Sequence, residues 1–282
     1  MQTAVLDEVG LSEKEFRLIS GLVYKHCGIN LHDGKKELVR ARLAKRLRLC
    51  GFTSFAEYIN YVLKDTSGSE FSSLVDCLST NLTSFFREAQ HFDFLRTTLL
   101  PQLMERKRRR QSCRLRAWSA GCSSGEEPYT IAIVLLEAVE GQGRWDTKVL
   151  ATDISTAILE KAKQGLYDEQ RIAPLSAMQR ASFLTARRAA GRKVFEVSDR
   201  LRSTVVFRYL NLMADWPVKG PLDFIFCRNV MIYFDKPTQQ RLISRYYDLL
   251  DSGGVLFTGH SESLTGIDHA FKYIQPTIYM KP

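Results

Sequence analysis

The chain has 282 residues, 45% of them hydrophobic and 25% charged, long enough for two modest domains and ordinary for a soluble globular protein. Its formal charge of +9 favours an acidic partner without distinguishing nucleic acid, membrane surface and protein. Six scattered cysteines without a C-x-x-C pair, and five histidines without metal-ligand spacing, argue for reduced cytoplasmic thiols and against a disulfide framework or a metal centre.

The opening MQTAVLDEVG carries two acids and no basic n-region, so no signal peptide is expected. Residues 12 to about 100 then read as helix after helix. SEKEFRLISGLVYKHCG begins with a Ser-x-x-Glu capping box, repeats apolar residues at Phe16, Ile19, Leu22 and Val23, and stops at Gly28. In DGKKELVRARLAKRLRLCG, Leu38, Leu43, Leu47 and Leu49 mark the expected apolar side and Gly51 the end. SFAEYINYVLK and EFSSLVDCLS add two short amphipathic segments. No strand is expected before Arg114, and the basic run ERKRRRQS reads as a solvated helix end and linker.

From residue 114 the pattern changes. CRLRAW, TKVLATDI, LDFIFC and GGVLFTG read as strands, and EEPYTIAIVLLEAVE, STAILEKAKQG and KPTQQRLISRYYDLL as helices. The longest apolar run, YTIAIVLL, is too short to cross a bilayer. Strands alternating with helices predict an α/β fold, a Rossmann-like doubly wound parallel sheet behind an all-helical N-terminal domain. The expected boundaries are 1–85 for the helical domain, 86–113 for a connecting helix and linker, and 114–282 for the sheet domain. Between about 166 and 204 the alternation breaks. A helix-like LSAMQRASFL precedes two extended runs, KVFEV and RLRSTVVFR, which are expected to form a small antiparallel hairpin near 193–208.

The turn SAGCSSGEEP joins the first strand to its helix at the carboxyl edge of the sheet, where α/β folds bind ligands. Such Gly/Ser-rich turns usually receive phosphate on helix N-terminal N–H groups. Here Glu126 and Glu127 occupy that position, and carboxylates lining a phosphate site would repel it. The next strand ends in Asp153, where an acid typically holds a ribose hydroxyl. A phosphate-free nucleoside with positive charge fits both features, and S-adenosylmethionine has a ribose, a sulfonium and an α-ammonium. Ser124 and Glu127 have the spacing of a capping box as well, a reading compatible with the first.

GCSSG also matches the G-x-S-x-G nucleophile elbow, and Ser123 with Asp223 or Asp235 and His260 would respect the order of a hydrolase triad. Against it, only helices lie upstream of the elbow strand and no HGGG-like oxyanion segment is present. In STNLTSFFREAQHF, Phe85 and Phe86 suit an apolar wall or a core, and Arg87 offers a planar fork for a carboxylate. Asn211, Arg228, Asn229 and Tyr233 follow extended segments at the expected carboxyl edge, where either ligand contact or turn chemistry would place them.

TNLTSFFRE, WSAGCSSGEEPYTIAI, ATDIS, the Asn211–Leu212 pair, FCRNVMIYFD and GHSESL together resemble the chemotaxis receptor methyltransferases, the CheR family. The likeness runs in order from about residue 12 to 280. These are protein-glutamate O-methyltransferases that use S-adenosylmethionine and release S-adenosylhomocysteine. The resemblance implies cofactor contacts from Asn81, Thr83, Arg87, Gly121, Glu127, Asp153, Asn211, Leu212, Arg228 and Asn229, with Arg87 and Tyr233 near the incoming carboxylate. Glu126 is not carried over, because the family's contact corresponds to the second acid. The same resemblance makes Lys35, Lys36, Arg40, Arg42, Lys45, Arg46 and Arg48 a docking face for acidic methylation helices of a chemoreceptor cytoplasmic domain. As a bare charge run they would be a solvated face. In some members the β insert binds a receptor's C-terminal peptide by strand addition. The insert here matches poorly residue by residue, which leaves that partner open. A monomer without nucleic-acid or membrane binding is expected. FCRN lacks the N-P-P-Y or D-P-P-Y that would hold a flipped base, and retention of Arg87 and Tyr233 speaks against a non-enzymatic cofactor sensor.

Overall fold

The computed structural model describes residues 10–79, 81–189 and 191–282. Most of MQTAVLDEVG, on which the signal-peptide expectation rests, lies outside the described residues.

Four helices build the N-terminal domain: α1 (Glu13–Cys27), α2 (Lys36–Cys50), α3 (Phe55–Lys64) and α4 (Ser69–Leu78). The capping box forms as read, with the Glu15 N–H on Ser12 Oγ and the Ser12 N–H on Glu15 Oε2, and Gly28 closes α1 at φ +73°. The buried stripe of α2 is Val39, Leu43 and Leu47, whereas Leu38 and Leu49 are 41% and 72% exposed. Residues four apart share a helix face, and Leu38 sits one residue, about 100°, off that line. Phe16, Ile19, Phe55, Tyr58 and Leu74 complete this core.

After a non-helical crossing, α5 (Ala89–Phe94) passes through a π turn (Leu95–Leu99) into α6 (Leu100–Arg109). Its basic end is not wholly solvated: Lys107 is buried and pairs with the fully buried Asp223 at 2.6 Å. A buried carboxylate demands such a partner. No described strand precedes Arg114.

The strands are β1 (Arg114–Ala120), β2 (Asp146–Asp153), β3 (Leu166–Tyr167), β4 (Leu184–Ala189), β5 (Arg192–Val197), β6 (Val205–Tyr209), β7 (Leu222–Cys227), β8 (Leu250–Thr258), β9 (Lys272–Gln275) and β10 (Ile278–Met280). Seven form one sheet in the order β6-β2-β1-β7-β8-β10-β9. The first five run parallel and the C-terminal β9–β10 hairpin antiparallel. Helices α7 (Glu126–Val139), α8 (Thr156–Gln164), α9 (Ala177–Phe183), α10 (Asp199–Thr204) and α11 (Lys236–Leu249) connect them. Strand alternation sorts the core onto two faces. Ala117, Val149, Phe224, Phe226 and Phe257 pack with α5, α6 and α7, while Trp118, Ile225 and Leu256 pack with Leu242, Ile243 and Tyr246 of α11. The strand order reverses at β1, between β2 and β7, which opens a crevice at the carboxyl edge.

The small antiparallel sheet has three strands, β3-β5-β4, and its hairpin spans 184–197 rather than 193–208. RLRST is instead helix α10, capped by Ser198 Oγ accepting the Leu201 N–H. The following VVFR is β6, which buries Val205 and Phe207 beside β2. A local cap and an apolar alternation fitted to the main sheet outweigh local hairpin pairing.

Candidate active site

The turn after β1 is tied to β2 by the N–H groups of Gly121 and Cys122, both donating to Thr152 O. Gly121 sits at φ +88°, and a Cβ there would stand 2.3 Å from Val230 Cγ2, so a side chain is excluded on both counts. The Ser123 N–H, which a phosphate would claim, donates to Asp153 Oδ2 at 2.8 Å. The two glutamates then diverge. Glu126 turns away, taking the Ser124 hydroxyl and pairing with Arg171 at 2.5 Å. Glu127 faces the crevice: Oε1 accepts from Ser119 Oγ, and Oε2 lies 2.9 Å from Arg228 Nε. That N–H points past the oxygen and finds no acceptor, so the pair is a charge contact rather than a directed bond. The capping box of Ser124 and Glu127 does not form; Gly125 is the N-cap and no side chain caps α7.

A cavity of about 590 Å³ lies between the helical domain and the carboxyl edge of the sheet, within the range of small-molecule sites. Asn81, Thr83, Arg87, Gly121, Glu127, Asp153, Asn211, Leu212, Arg228, Asn229 and Tyr233 all line it. Of the basic set, Lys35 and Arg42 also line it, while Lys36, Arg40, Lys45, Arg46 and Arg48 do not. Arg46 is committed elsewhere: its guanidinium holds the buried Glu70 through two bonds of 2.8 and 2.5 Å, and Tyr58 Oη donates to the same carboxylate. Arg46 thus has a structural role within the helical domain. Lys36 pairs with Glu13, Arg40 with Glu37, and Arg42 donates to Leu78 O.

Burial dominates the electrostatics. It pushes the Glu127 carboxyl up despite Arg228, and pushes Asp153 up despite the backbone N–H groups of Ser155 and Ser123. Asp153 spends one lone pair of each oxygen on those two N–H groups and keeps the others for a ligand. Arg228 is buried over the rings of Phe92 and Phe226 and donates to Arg87 O and His91 Nδ1. Burial first, then Arg228, lowers the His91 pKa to about 3, so the imidazole is neutral. Nδ1 accepts from Arg228, which leaves Nε2–H to donate to Thr277 Oγ1 at 2.7 Å. Glu88, His91 and His260 bring potential ligand atoms within 4.8 Å of one another. The His91 Nδ1 lone pair is taken, and a metal cation would face the buried guanidinium.

Asn211 couples the domains, its Nδ2 donating to His26 O at the end of α1 and its Oδ1 accepting the Met213 N–H. Arg87 Nη1 donates to Leu82 O, and Tyr233 O accepts the Asn30 N–H across the same domain boundary. The hydrolase triad is not assembled. Ser123 Oγ donates to Asn81 O, Asp223 binds Lys107, Asp235 caps α11, and His260 lies against Glu88. Reading the sequence missed the cavity wall from the segment after α1, including Ile29, Asn30 and His32. It also assigned no role to Glu262 of GHSESL, which binds the loop after β7.

Two family models cover the chain. The all-alpha domain of CheR methyltransferases matches residues 14–79, and the CheR methyltransferase SAM-binding domain matches residues 81–280. A chemotaxis protein methyltransferase of Borreliella burgdorferi is 41% identical, over 97% of this chain and 96% of its own. That of Escherichia coli is 40% identical over 99% and 96%, and the chemotaxis protein methyltransferase 2 of Pseudomonas aeruginosa 42% identical over 96% and 94%. Matched almost end to end by both models and by these relatives, the chain belongs to the CheR family of S-adenosylmethionine-dependent chemotaxis methyltransferases.

Proposed function

We propose that the chain methylates glutamate side chains on the cytoplasmic domain of chemoreceptors, leaving glutamate methyl esters and S-adenosylhomocysteine. The observation that carries this reading is the mixed lining of the cavity, where Glu127 and Asp153 are joined by Arg87 and by Lys35 and Arg42 of the helical domain. The acids suit the α-ammonium and ribose of the cofactor; the cations suit an incoming carboxylate.

Bound S-adenosylmethionine supplies an electrophilic methyl group on a sulfonium. Asp153 would accept the ribose hydroxyls on its remaining lone pairs, and Glu127 the α-ammonium. Asn81, Thr83, Asn211, Leu212, Arg228 and Asn229 would complete the cofactor wall, with Gly121 admitting the backbone close to it. A glutamate carboxylate is already ionised near neutral pH, so no general base is required. The work left to the protein is orientation and partial removal of water. Arg87 orients the carboxylate and Tyr233 confines it.

The exposed Lys35 and Lys45 extend the positive surface from the cavity along the helical domain. Strand β4 is the longer of the two edge strands of the small sheet, with Thr185 to Ala189 exposed, and it offers a site for an extended receptor tail. No described helix is long and apolar enough to cross a membrane.

The test is transfer of labelled methyl from S-adenosylmethionine to a purified receptor cytoplasmic fragment, with release as methanol in mild base. Base-labile label supports glutamate ester chemistry. Tight cofactor binding without labelled receptor overturns the substrate assignment, and absent cofactor binding overturns the reading at its root.

A further inference from the structure

The segment Arg228–Phe234 supplies more of the cavity wall than any strand, yet little in its own sequence sets its shape. Asn-Val-Met-Ile-Tyr contains no glycine or proline, and its only regular structure is the single 3₁₀ turn Met231–Tyr233. Asn229 sits at φ +58°, a left-handed conformation that asparagine tolerates but that does not by itself fix the rest of the segment.

Support comes from Glu262, 33 residues on in GHSESL and 5% exposed. Its Oε2 accepts the N–H groups of Asn229 at 2.7 Å and Gly259 at 2.6 Å, and its Oε1 accepts that of Ile232 at 3.1 Å. The residue is itself fixed, since its N–H donates to Gly259 O and its carbonyl accepts from Thr258 Oγ1. Gly259 leaves the space: a Cβ there would stand 2.7 Å from Asn229 Nδ2 and 2.8 Å from Glu262 Oε2. Among the described residues no Lys or Arg comes within ion-pair range of Glu262, so backbone dipoles alone hold the charge. Burial raises its pKa against those N–H groups, so ionisation here is costly. The arrangement needs a group with two acceptor oxygens and no donor, which only a carboxylate provides.

We propose that Glu262 is a positioning residue for methyl transfer, clamping the Asn229–Ile232 backbone so that Asn229 and Tyr233 face the cavity in one geometry. The proposal rests on the roles proposed for those two residues. Glu262→Gln replaces one acceptor by an NH₂ that confronts a backbone N–H.

Hydrogen exchange on the full chain tests the clamp without any receptor. The Asn229 and Ile232 amides should exchange about tenfold faster in Glu262→Gln, with those of β7 unchanged. Turnover tests the consequence. Receptor methylation per calorimetrically counted S-adenosylhomocysteine site should fall about tenfold in kcat, and the loss should not multiply with that of Tyr233→Phe. A merely structural role would lower Tm and the number of sites while leaving kcat per site intact. Unchanged exchange at Asn229 and Ile232, kcat per site within about twofold of wild type, or independent losses in the double variant each overturn the proposal. Should Glu262→Gln fail to fold, Gly259→Ala presses on the same clamp and must give the same exchange and kcat effects. Absence of methyl transfer by the wild type refutes the substrate assignment instead, and leaves the exchange result to judge the clamp.

Discussion

The helical domain and the carboxyl edge of the sheet use charge in opposite ways. In α1 to α4 the charged side chains are mostly exposed and pair locally, as Lys36 with Glu13 and Arg40 with Glu37. Such pairs are nearly neutral for stability and cheap to rearrange. At the edge of the sheet Glu127, Asp153, Arg228 and Glu262 are all buried. Backbone conformation divides the same way. Among the described residues, every non-glycine with positive φ lies beyond residue 79; Ser123 and Asn229 line the cavity, and Phe86 and Glu88 flank Arg87, which does. Buried charge and left-handed backbone both cost stability and persist where the surroundings over-determine them. On the proposed function, the relaxed scaffold would carry the surface that meets the receptor and the strained, desolvated one the chemistry. Removing a group from the second should therefore abolish function more than stability.

Arg87 gives the largest expected effect. If Arg87 orients the carboxylate as proposed, Arg87→Ala should lower receptor methylation about a hundredfold or more while changing S-adenosylhomocysteine affinity much less. Equal losses in affinity and turnover would assign Arg87 to the cofactor instead.

Asp153 sharpens the contrast through pH. Burial raises its folded pKa above the ordinary 3.8. Stability and binding then respond with opposite sign. A carboxyl with a raised folded pKa contributes most to stability below 3.8, and that contribution is lost as pH rises through the folded value. Cofactor affinity moves the other way, because the ionised form keeps a free acceptor on both oxygens beyond the Ser123 and Ser155 N–H groups, whereas protonation turns one oxygen into a donor. Acidification through the folded pKa should weaken S-adenosylmethionine binding in calorimetry. Asp153→Asn should weaken it about ten- to a hundredfold at neutral pH and flatten this pH dependence.

How far this contrast was legible in the sequence depended on range. Capping at Ser12, the acid-tipped β2 and the turn at Gly121 are local patterns, and they were readable. The stripe of α2 is not legible from its leucines alone, because Val39 carries the period while Leu38 and Leu49 face solvent. The hairpin was misplaced because VVFR has the alternation of any strand, and only the vacant edge of β2 decides its partner. The family resemblance separated Glu127 from Glu126, but the physical cause of their divergence, Arg228 and Arg171, lies far off in sequence. Glu262 was invisible for the same reason, as its meaning lies in N–H groups some 30 residues away. The motif resemblance located the cavity residues as a set, and it could not tell which of the basic residues face inward.

Arg46 is the exception inside the relaxed domain, and it sets the next effect. Burial alone would raise the Glu70 carboxyl, yet Arg46 and Tyr58 hold it below its ordinary range. Arg46→Ala strands that carboxylate and should cost about 2 kcal/mol in chemical denaturation. Stability from a depressed carboxyl is present above its unfolded pKa of about 4.3 and lost as pH falls through the folded value. The penalty should accordingly shrink in acid, whereas Lys45→Ala, one residue away and exposed, should change stability negligibly at any pH.

Lys35 and Lys45 carry the smallest effect and isolate the surface role. Both are exposed, and neither supports the buried core. Reversing both to glutamate should raise KM for an acidic receptor fragment a few-fold at low ionic strength, with Tm and cofactor affinity unchanged. The Debye length falls from about 30 Å at 0.01 M salt to about 8 Å at 0.15 M, so variant and wild type should converge as salt is added. Lys35 also lines the cavity, so the single reversals separate two contributions. A salt-independent loss confined to Lys35→Glu would mean that this lysine meets the glutamate being methylated. A salt-dependent loss shared by both would mean that the helical domain attracts the receptor without shaping the reaction.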